Sequence, residues 1–228
     1  MLADLTMAEL ALVAVTAFCA QIIGGMAGYG TGLLMPLVLV PMVGAPAVVP
    51  IIALSAIITN ATRVVAFREF LDLRKVVIVT LAAFPFAALS AWGYTRLTGD
   101  GAAVLIGVML IVLVPLRRYC EHLKLQLSER GLGVASVGYG LMMGGTSGSG
   151  VMLLSLLMAT GLVGPQVIAT DAAISFLLGF VKTGVFVGFG ALDLKLMLIS
   201  LLIGACAASP PASTRSSWKR ESSSAAPS

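Results

Sequence analysis

Gly24-Gly25-Met26-Ala27-Gly28-Tyr29-Gly30 recurs 120 residues later as Gly144-Gly145-Thr146-Ser147-Gly148-Ser149-Gly150. Both copies are embedded in strongly apolar sequence. Each is followed by a short apolar stretch, a Gly/Pro turn, a longer apolar stretch, and then Leu-Asp-Leu before a basic residue. A glycine cluster interrupts a helix or lets another backbone approach closely, because glycine has no Cβ. Glycine-interrupted hydrophobic segments at corresponding places in two halves point to the binding site of a secondary carrier.

Composition sets the class. The chain is 59% hydrophobic and 11% charged, where a soluble domain would be about a quarter charged. A membrane crossing needs roughly 20 apolar residues. The sequence predicts nine such segments, some of them short, at 5–23, 31–43, 46–66, 74–93, 101–116, 132–146, 149–163, 166–188 and 194–208. The expected fold is therefore an all-α polytopic membrane protein with eight to nine helical segments. The alternating strands of an outer-membrane barrel are absent from the pattern. Short segments meeting at glycines predict broken or hairpin helices that meet within the bilayer.

Basic loops orient the chain. Arg68, Arg74 and Lys75 form one cluster, and Arg117, Arg118, Lys124 and Arg130 a second. Two segments lie between them, so both fall on one side, expected to be cytoplasmic. The N-terminus is then outside and the C-terminal tail cytoplasmic. Asp4 and Glu9 without a basic n-region argue against a cleaved signal peptide.

An odd number of segments separates the two glycine cassettes, so the repeats are expected to be inverted across the membrane. The repeat extends beyond glycine. Leu33, Leu34 and Leu37 match Leu153, Leu154 and Leu157, while Gly44, Ala53 and Ser55 match Gly164, Ala173 and Ser175. After a one-residue slip, Leu71-Asp72-Leu73-Arg74 matches Leu192-Asp193-Leu194-Lys195. The expected organisation is a first membrane repeat over 1–116, a basic cytoplasmic loop over 117–131, a second, incomplete repeat over 132–208 and a disordered tail over 209–228. The tail's abrupt Ser/Ala/Pro-rich composition reads either as a frameshifted or truncated end, or as a regulatory tail.

The candidate site is built from both cassettes: Gly24, Gly25, Gly28 and Gly30 with Thr31, and Gly144, Gly145, Ser147, Gly148, Ser149 and Gly150. Free N–H groups at a half-helix start, helped by its dipole, suit an anion. The competing reading makes Gly24/Gly28 and Gly144/Gly148 packing pairs that bring helices together. Arg63 and Lys182 lie in apolar segments at nearly equivalent places, with Thr59 and Asn60 beside Arg63. Intramembrane cations are costly and mark function, although Arg63 near a helix end can also snorkel to the interface. Asp171 is expected to serve the helix dipole or a neighbouring cation, with proton coupling as a further role.

No catalytic constellation, metal-ligand spacing or cofactor motif is present in the sequence, and no phosphate loop. The chain does not read as an enzyme. Positive-inside loops account for the net charge of +4, and no nucleic-acid partner is implied. The expected partners are the lipid bilayer, a small anionic substrate and a coupling ion, with the proton as candidate.

The doubled cassette, the turns at Gly44-Ala45-Pro46 and Gly164-Pro165, and the Leu-Asp-Leu-Arg/Lys segments resemble the TauE/SafE sulfite exporter family, also called the toluene sulfonate uptake permeases. The resemblance covers roughly residues 5–205. It implies a bacterial inner-membrane carrier for organosulfonates or small sulfur oxyanions such as sulfite, thiosulfate or sulfoacetate. It also implies a central site where the cassettes converge. Family members continue with more apolar sequence at the C-terminal end, where this chain departs. Two alternatives remain: a non-transporting membrane scaffold or assembly factor, or a permease for another small solute or a metal ion. Scarcity of intramembrane Asp, Glu and His disfavours the metal.

Overall fold

The computed structural model describes residues 11–20, 30–122, 126–146 and 149–207. Among the described residues it is helical throughout, with no strand. The helices are α1 (Ala11–Ala20), α2 (Gly30–Val43), α3 (Ala45–Phe67), α4 (Leu73–Thr95), α5 (Gly99–His122), α6 (Glu129–Gly145), α7 (Gly150–Ala159), α8 (Pro165–Gly188) and α9 (Leu194–Ala207). A 3₁₀ turn, Arg68–Phe70, extends α3. Among the described residues three stretches are long and apolar enough to cross a membrane: Ala45–Phe70, Leu73–Thr95 and Pro165–Gly188. Large apolar side chains point outward along the bundle, including Leu81, Val134 and Leu194, each at least 70% exposed. Such a surface is a liability in water and ordinary against lipid.

Among the described residues each expected segment overlaps a helix, with shifted ends. α5 runs on to His122 and takes in Arg117 and Arg118, while α6 already begins at Glu129. The polar stretch between them is thus partly helical, because lysine and arginine favour helix and no breaker intervenes. The tail from 209 onward lies outside the described residues.

Local chemistry sets the breaks. Gly44 precedes α3 with φ +80° and ψ +151°, a region essentially reserved for glycine. Gly164 precedes α8 with φ +53°, again left-handed. Proline then enters the first turn of each helix, where its missing N–H costs nothing. The repeated Leu-Asp-Leu signature has a plain structural use. Asp72 Oδ1 accepts from Lys75 N at 3.1 Å and caps α4. Asp193 Oδ1 accepts from Leu196 N at 2.9 Å and caps α9. Both carboxylates satisfy a free N–H at a helix start and face the positive dipole end.

Two apolar cores divide the bundle. One joins α1, α2 and the first part of α3 to α9, with the ends of α4 and α8 and part of α5. The other joins α6, α7 and the first half of α8 to α4. α9 packs on α3, and α4 packs on α6 and α8.

The tightest contact is between α4 and α6. A Cβ added at Gly140 would lie 2.5 Å from Ala83 O, and one at Gly144 would collide with Ser90 Oγ and Ala87 O. These glycines let two backbones touch, as small-xxx-small pairs do in membranes. The described packing pair on α6 is thus Gly140/Gly144. Gly24, Gly28 and Gly148, the other members of the expected pairs, lie outside the described residues.

Polar contacts assign helix ends to sides. Arg74 pairs with Glu129 at 2.5 Å, so α4 and α6 start together. Leu127 N donates to Ala159 O at 2.8 Å, so α7 ends on that same side. Asp72 N donates to Thr170 Oγ1 at 3.3 Å, which places the start of α8 there too. On the opposite side Tyr94 Oη donates to Ala45 O at 2.7 Å, and the Tyr94 ring meets Phe186 edge-on. The starts of α4 and α6, flanking the two basic clusters, thus share a side.

Candidate functional site

α6 and α7 form a hairpin. α6 has 17 residues and α7 has 10. At 1.5 Å per residue they rise about 25 Å and 15 Å, less than the roughly 30 Å hydrocarbon core. Both have their outer ends on one side, and neither is long enough by itself to cross that core. Broken backbone inside a bilayer must be satisfied by protein or by a wet cavity.

Lys182 supplies part of that satisfaction. Its Nζ donates to Met143 O at 2.8 Å and to Thr146 O at 2.6 Å. Lys182 is 4% exposed. These carbonyls belong to the last turn of α6, which has no helical donors of its own and carries the negative dipole end. The ammonium caps α6 from α8, 36 and 39 residues away in sequence. Thr146 Oγ1 donates back to Met142 O and closes the same turn.

α7 starts differently. Ser149 stands at its N-cap position and is buried, but its side chain makes no capping bond. The first-turn N–H groups of a helix have no helical acceptor. Ser149 instead interacts with the buried phenol of Tyr139, as does Ser175 of α8. Asp171, also on α8, is 4% exposed. It lies within electrostatic reach of both Tyr139 and Arg63. Its Oδ1 has no hydrogen-bond partner among the described residues, and neither has Thr183 Oγ1.

The expected site residues fall into three groups. Gly24, Gly25, Gly28, Ser147 and Gly148 lie outside the described residues, and of Gly30 and Thr31 only their place in the first turn of α2 is described. Thr59, Asn60 and Arg63 lie on α3, which packs on α8, and Arg63 is within electrostatic reach of Asp171. Thr59 and Asn60 are buried, and the Thr59 hydroxyl donates to Ala56 O of its own helix. Gly144, Gly145, Ser149, Gly150 and Lys182 gather at the hairpin tip. Among them, Gly144 is spent on contact with α4.

Asp171 was expected at the helix start as a dipole partner or as a mate for a cation. It lies past the first turn of α8, and its described counter-charge is Arg63. Tyr139 was missed altogether. Nothing local marks it, since a tyrosine in an apolar helix reads equally well as an interface anchor. Ser175 had one visible signal, its repeat match to Ser55.

The family model described as Sulfite exporter TauE/SafE matches residues 13–217 of the chain. The chain belongs to this family. TauE/SafE proteins are membrane transporters and not enzymes, in keeping with the apolar helices. The match runs from α1 through both cassettes and past α9. No curated protein and no solved structure matches the chain. Among the described residues no group of three or more His, Cys, Asp or Glu side chains is placed to hold a metal ion.

Proposed function

We propose that this TauE/SafE protein is a gradient-driven permease for a small anion, a sulfur oxyanion or an organosulfonate, in a bacterial inner membrane. The observation that carries this reading is the hairpin tip. A half-helix begins there without a side-chain cap, where the buried Tyr139 phenol meets Ser149 and Ser175 and Lys182 is held on the preceding carbonyls. A helix start offers N–H groups and positive potential to an anion. Burial strengthens every such contact, because the local dielectric is low. Lys182 acts chiefly on the carbonyls of α6 and lends its charge to the site from there.

Alternating access follows from two inverted halves rocking around a fixed centre. Several paired features support this reading: the Gly44 and Gly164 turns, the Asp72 and Asp193 caps, and the exchange of α4 and α9 between cores. α7 ends on the side of Arg74 and Glu129. Its repeat partner α2 leads into Ala45, on the side of Tyr94. Equivalent helices ending on opposite sides is the arrangement that inversion requires. With both basic clusters cytoplasmic, the N-terminus is outside and the tail inside.

The test is flux of labelled sulfite, thiosulfate and a sulfonate into and out of proteoliposomes, against empty vesicles. Saturable flux of one of them that Arg63→Gln and Ser149→Ala reduce at least tenfold, in protein that stays folded, supports the reading. The sign of the net flux gives the direction. Flux of none from folded protein in either direction refutes it and leaves the scaffold reading, in which close glycine packing is the whole purpose of α6.

A further inference from the structure

We propose that Asp171 is where this carrier takes up its coupling proton, and that protonation there leaves the field of Arg63 to the transported anion. The inference rests on the anion-carrier reading above and adds the coupling ion and the residue that binds it.

A buried carboxylate is costly unless it is paired and fully hydrogen-bonded. Asp171 is buried, yet one of its oxygens has no partner among the described residues. An oxygen left this way is the place where a proton would relieve the cost, turning a bare acceptor into a donor. An intramembrane carboxyl is by default a functional group, and proton relays are a common use.

The surroundings of Asp171 fit such a switch. α3 brings Arg63, its electrostatic partner. α6 brings the Tyr139 hydroxyl, and α8 itself carries Lys182, which is held on the α6 carbonyls. α4 brings the Asp72–Lys75 pair, joined to α8 through Asp72 N and Thr170 Oγ1. The 3₁₀ turn carries Arg68 and Glu69, both exposed, and α7 carries no titratable residue. Arg63 is thus the described cation that Asp171 and a bound anion would compete for. Tyr139, touching Ser149 and Ser175, ties Asp171 to the start of α7.

The coupling follows from charge. While Asp171 is ionised its charge offsets the field of Arg63 and repels a second anion in the same desolvated space. A proton from water binds the carboxylate, cancels that charge and leaves the field of Arg63 uncompensated. Anion and proton then favour each other's binding, by the same factor in each direction. They travel the same way, and the proton leaves when the anion does.

The experiment uses the full chain in proteoliposomes with the anion that supports counterflow. In the wild type, an acidic exterior should drive uphill accumulation, approaching about tenfold per pH unit for one proton with one monovalent anion. Asp171→Asn should lose acid-driven accumulation, its residual counterflow no longer responding to the pH gradient. Asp171→Asn that still accumulates under the pH gradient overturns the inference, as does wild-type flux indifferent to the gradient or opposite in sense.

If Asp171→Asn does not fold, Asp171→Glu carries the test. It must shift the pH midpoint of anion binding relative to wild type, and an unmoved midpoint sinks the idea. If the wild type moves no anion at all, the carrier reading has failed, and infrared titration in lipid decides the proton site separately. A protonated-carboxyl band that forms on acidification and is missing from Asp171→Asn upholds proton uptake there, whereas a band unchanged in the variant overturns it.

Discussion

Replacing Gly144 with alanine tests how α6 is held. The new Cβ would run into Ser90 Oγ and Ala87 O, with Ala91 N 2.7 Å away. Ser90 can turn aside, but the other two atoms are backbone of α4. The helices must therefore separate along their tightest contact. Overpacking of this kind costs about 1–3 kcal/mol, and rigid main-chain obstacles place Gly144→Ala near the upper end. Gly138 is the internal control. It lies on the same helix, is exposed, and a Cβ there meets nothing within 4 Å. Gly138→Ala should be neutral or stabilising by up to about 1 kcal/mol, the propensity gain of alanine over glycine.

The two variants should thus differ by about 3–4 kcal/mol, a factor of several hundred in the unfolding equilibrium. Gly140→Ala, with Ala83 O at 2.5 Å and Ala83 Cα at 2.9 Å from the new carbon, should behave like Gly144→Ala. The double variant should cost less than the sum, because one separation of the helices relieves both clashes. Reversible unfolding in mixed micelles, followed by circular dichroism, reads all four. Equal stability of Gly138→Ala and Gly144→Ala would refute the close approach of α4 and α6, and with it the placement of the hairpin.

Four further outcomes follow from the structure. Lys182→Met strips the charged donor from Met143 O and Thr146 O. It should cost about 2–4 kcal/mol, somewhat less than two charge-assisted bonds, because an ammonium is no longer buried. Hydrogen exchange in peptides spanning the second cassette should quicken, and unchanged exchange there argues against the cap. Asp72→Ala and Asp193→Ala should each lose about 0.5–2 kcal/mol as helix caps, read by the same unfolding assay. Burial raises the Asp72 carboxyl, but the side-chain and backbone bonds from Lys75 and its charge outweigh that and hold it below the usual 3.8. A lowered carboxyl stabilises the fold fully above the unfolded value and loses that contribution as pH falls through the folded one. Asp72→Asn should therefore flatten the acid limb of stability below about pH 4, and a limb of undiminished slope would reject Asp72 as its source. Gly44→Ala forces a side chain into φ +80°, ψ +151° and should destabilise by about 1–3 kcal/mol; Gly93→Ala, open within 4 Å, should not.

Much of the architecture was legible because its causes are local. Apolar content says the solvent is lipid. Gly44-Ala45-Pro46 and Gly164-Pro165 mark helix starts because only glycine takes those backbone angles and proline suits a first turn. Leu-Asp-Leu was visible as a repeat signature, and its meaning proved to be helix capping at Asp72 and Asp193. Lys182 was legible as a costly intramembrane charge, but its partners were not. The sequence offered it to the substrate, whereas the fold gives it to the carbonyls of α6.

The sequence by itself determined the medium, the helices, the repeat and the residues too expensive to be idle. The tertiary structure decided which of those residues meet. Contact between Lys182 and Thr146, Tyr139 and Ser149, or Gly144 and Ala87 depends on how each helix is rotated about its axis. In a soluble protein an apolar stripe records that rotation. Here lipid and neighbouring helices are equally apolar, so hydrophobicity leaves no such mark on the chain. Close backbone approach, buried hydrogen bonds and charge pairing set the rotation instead, and these exist only once the helices are packed.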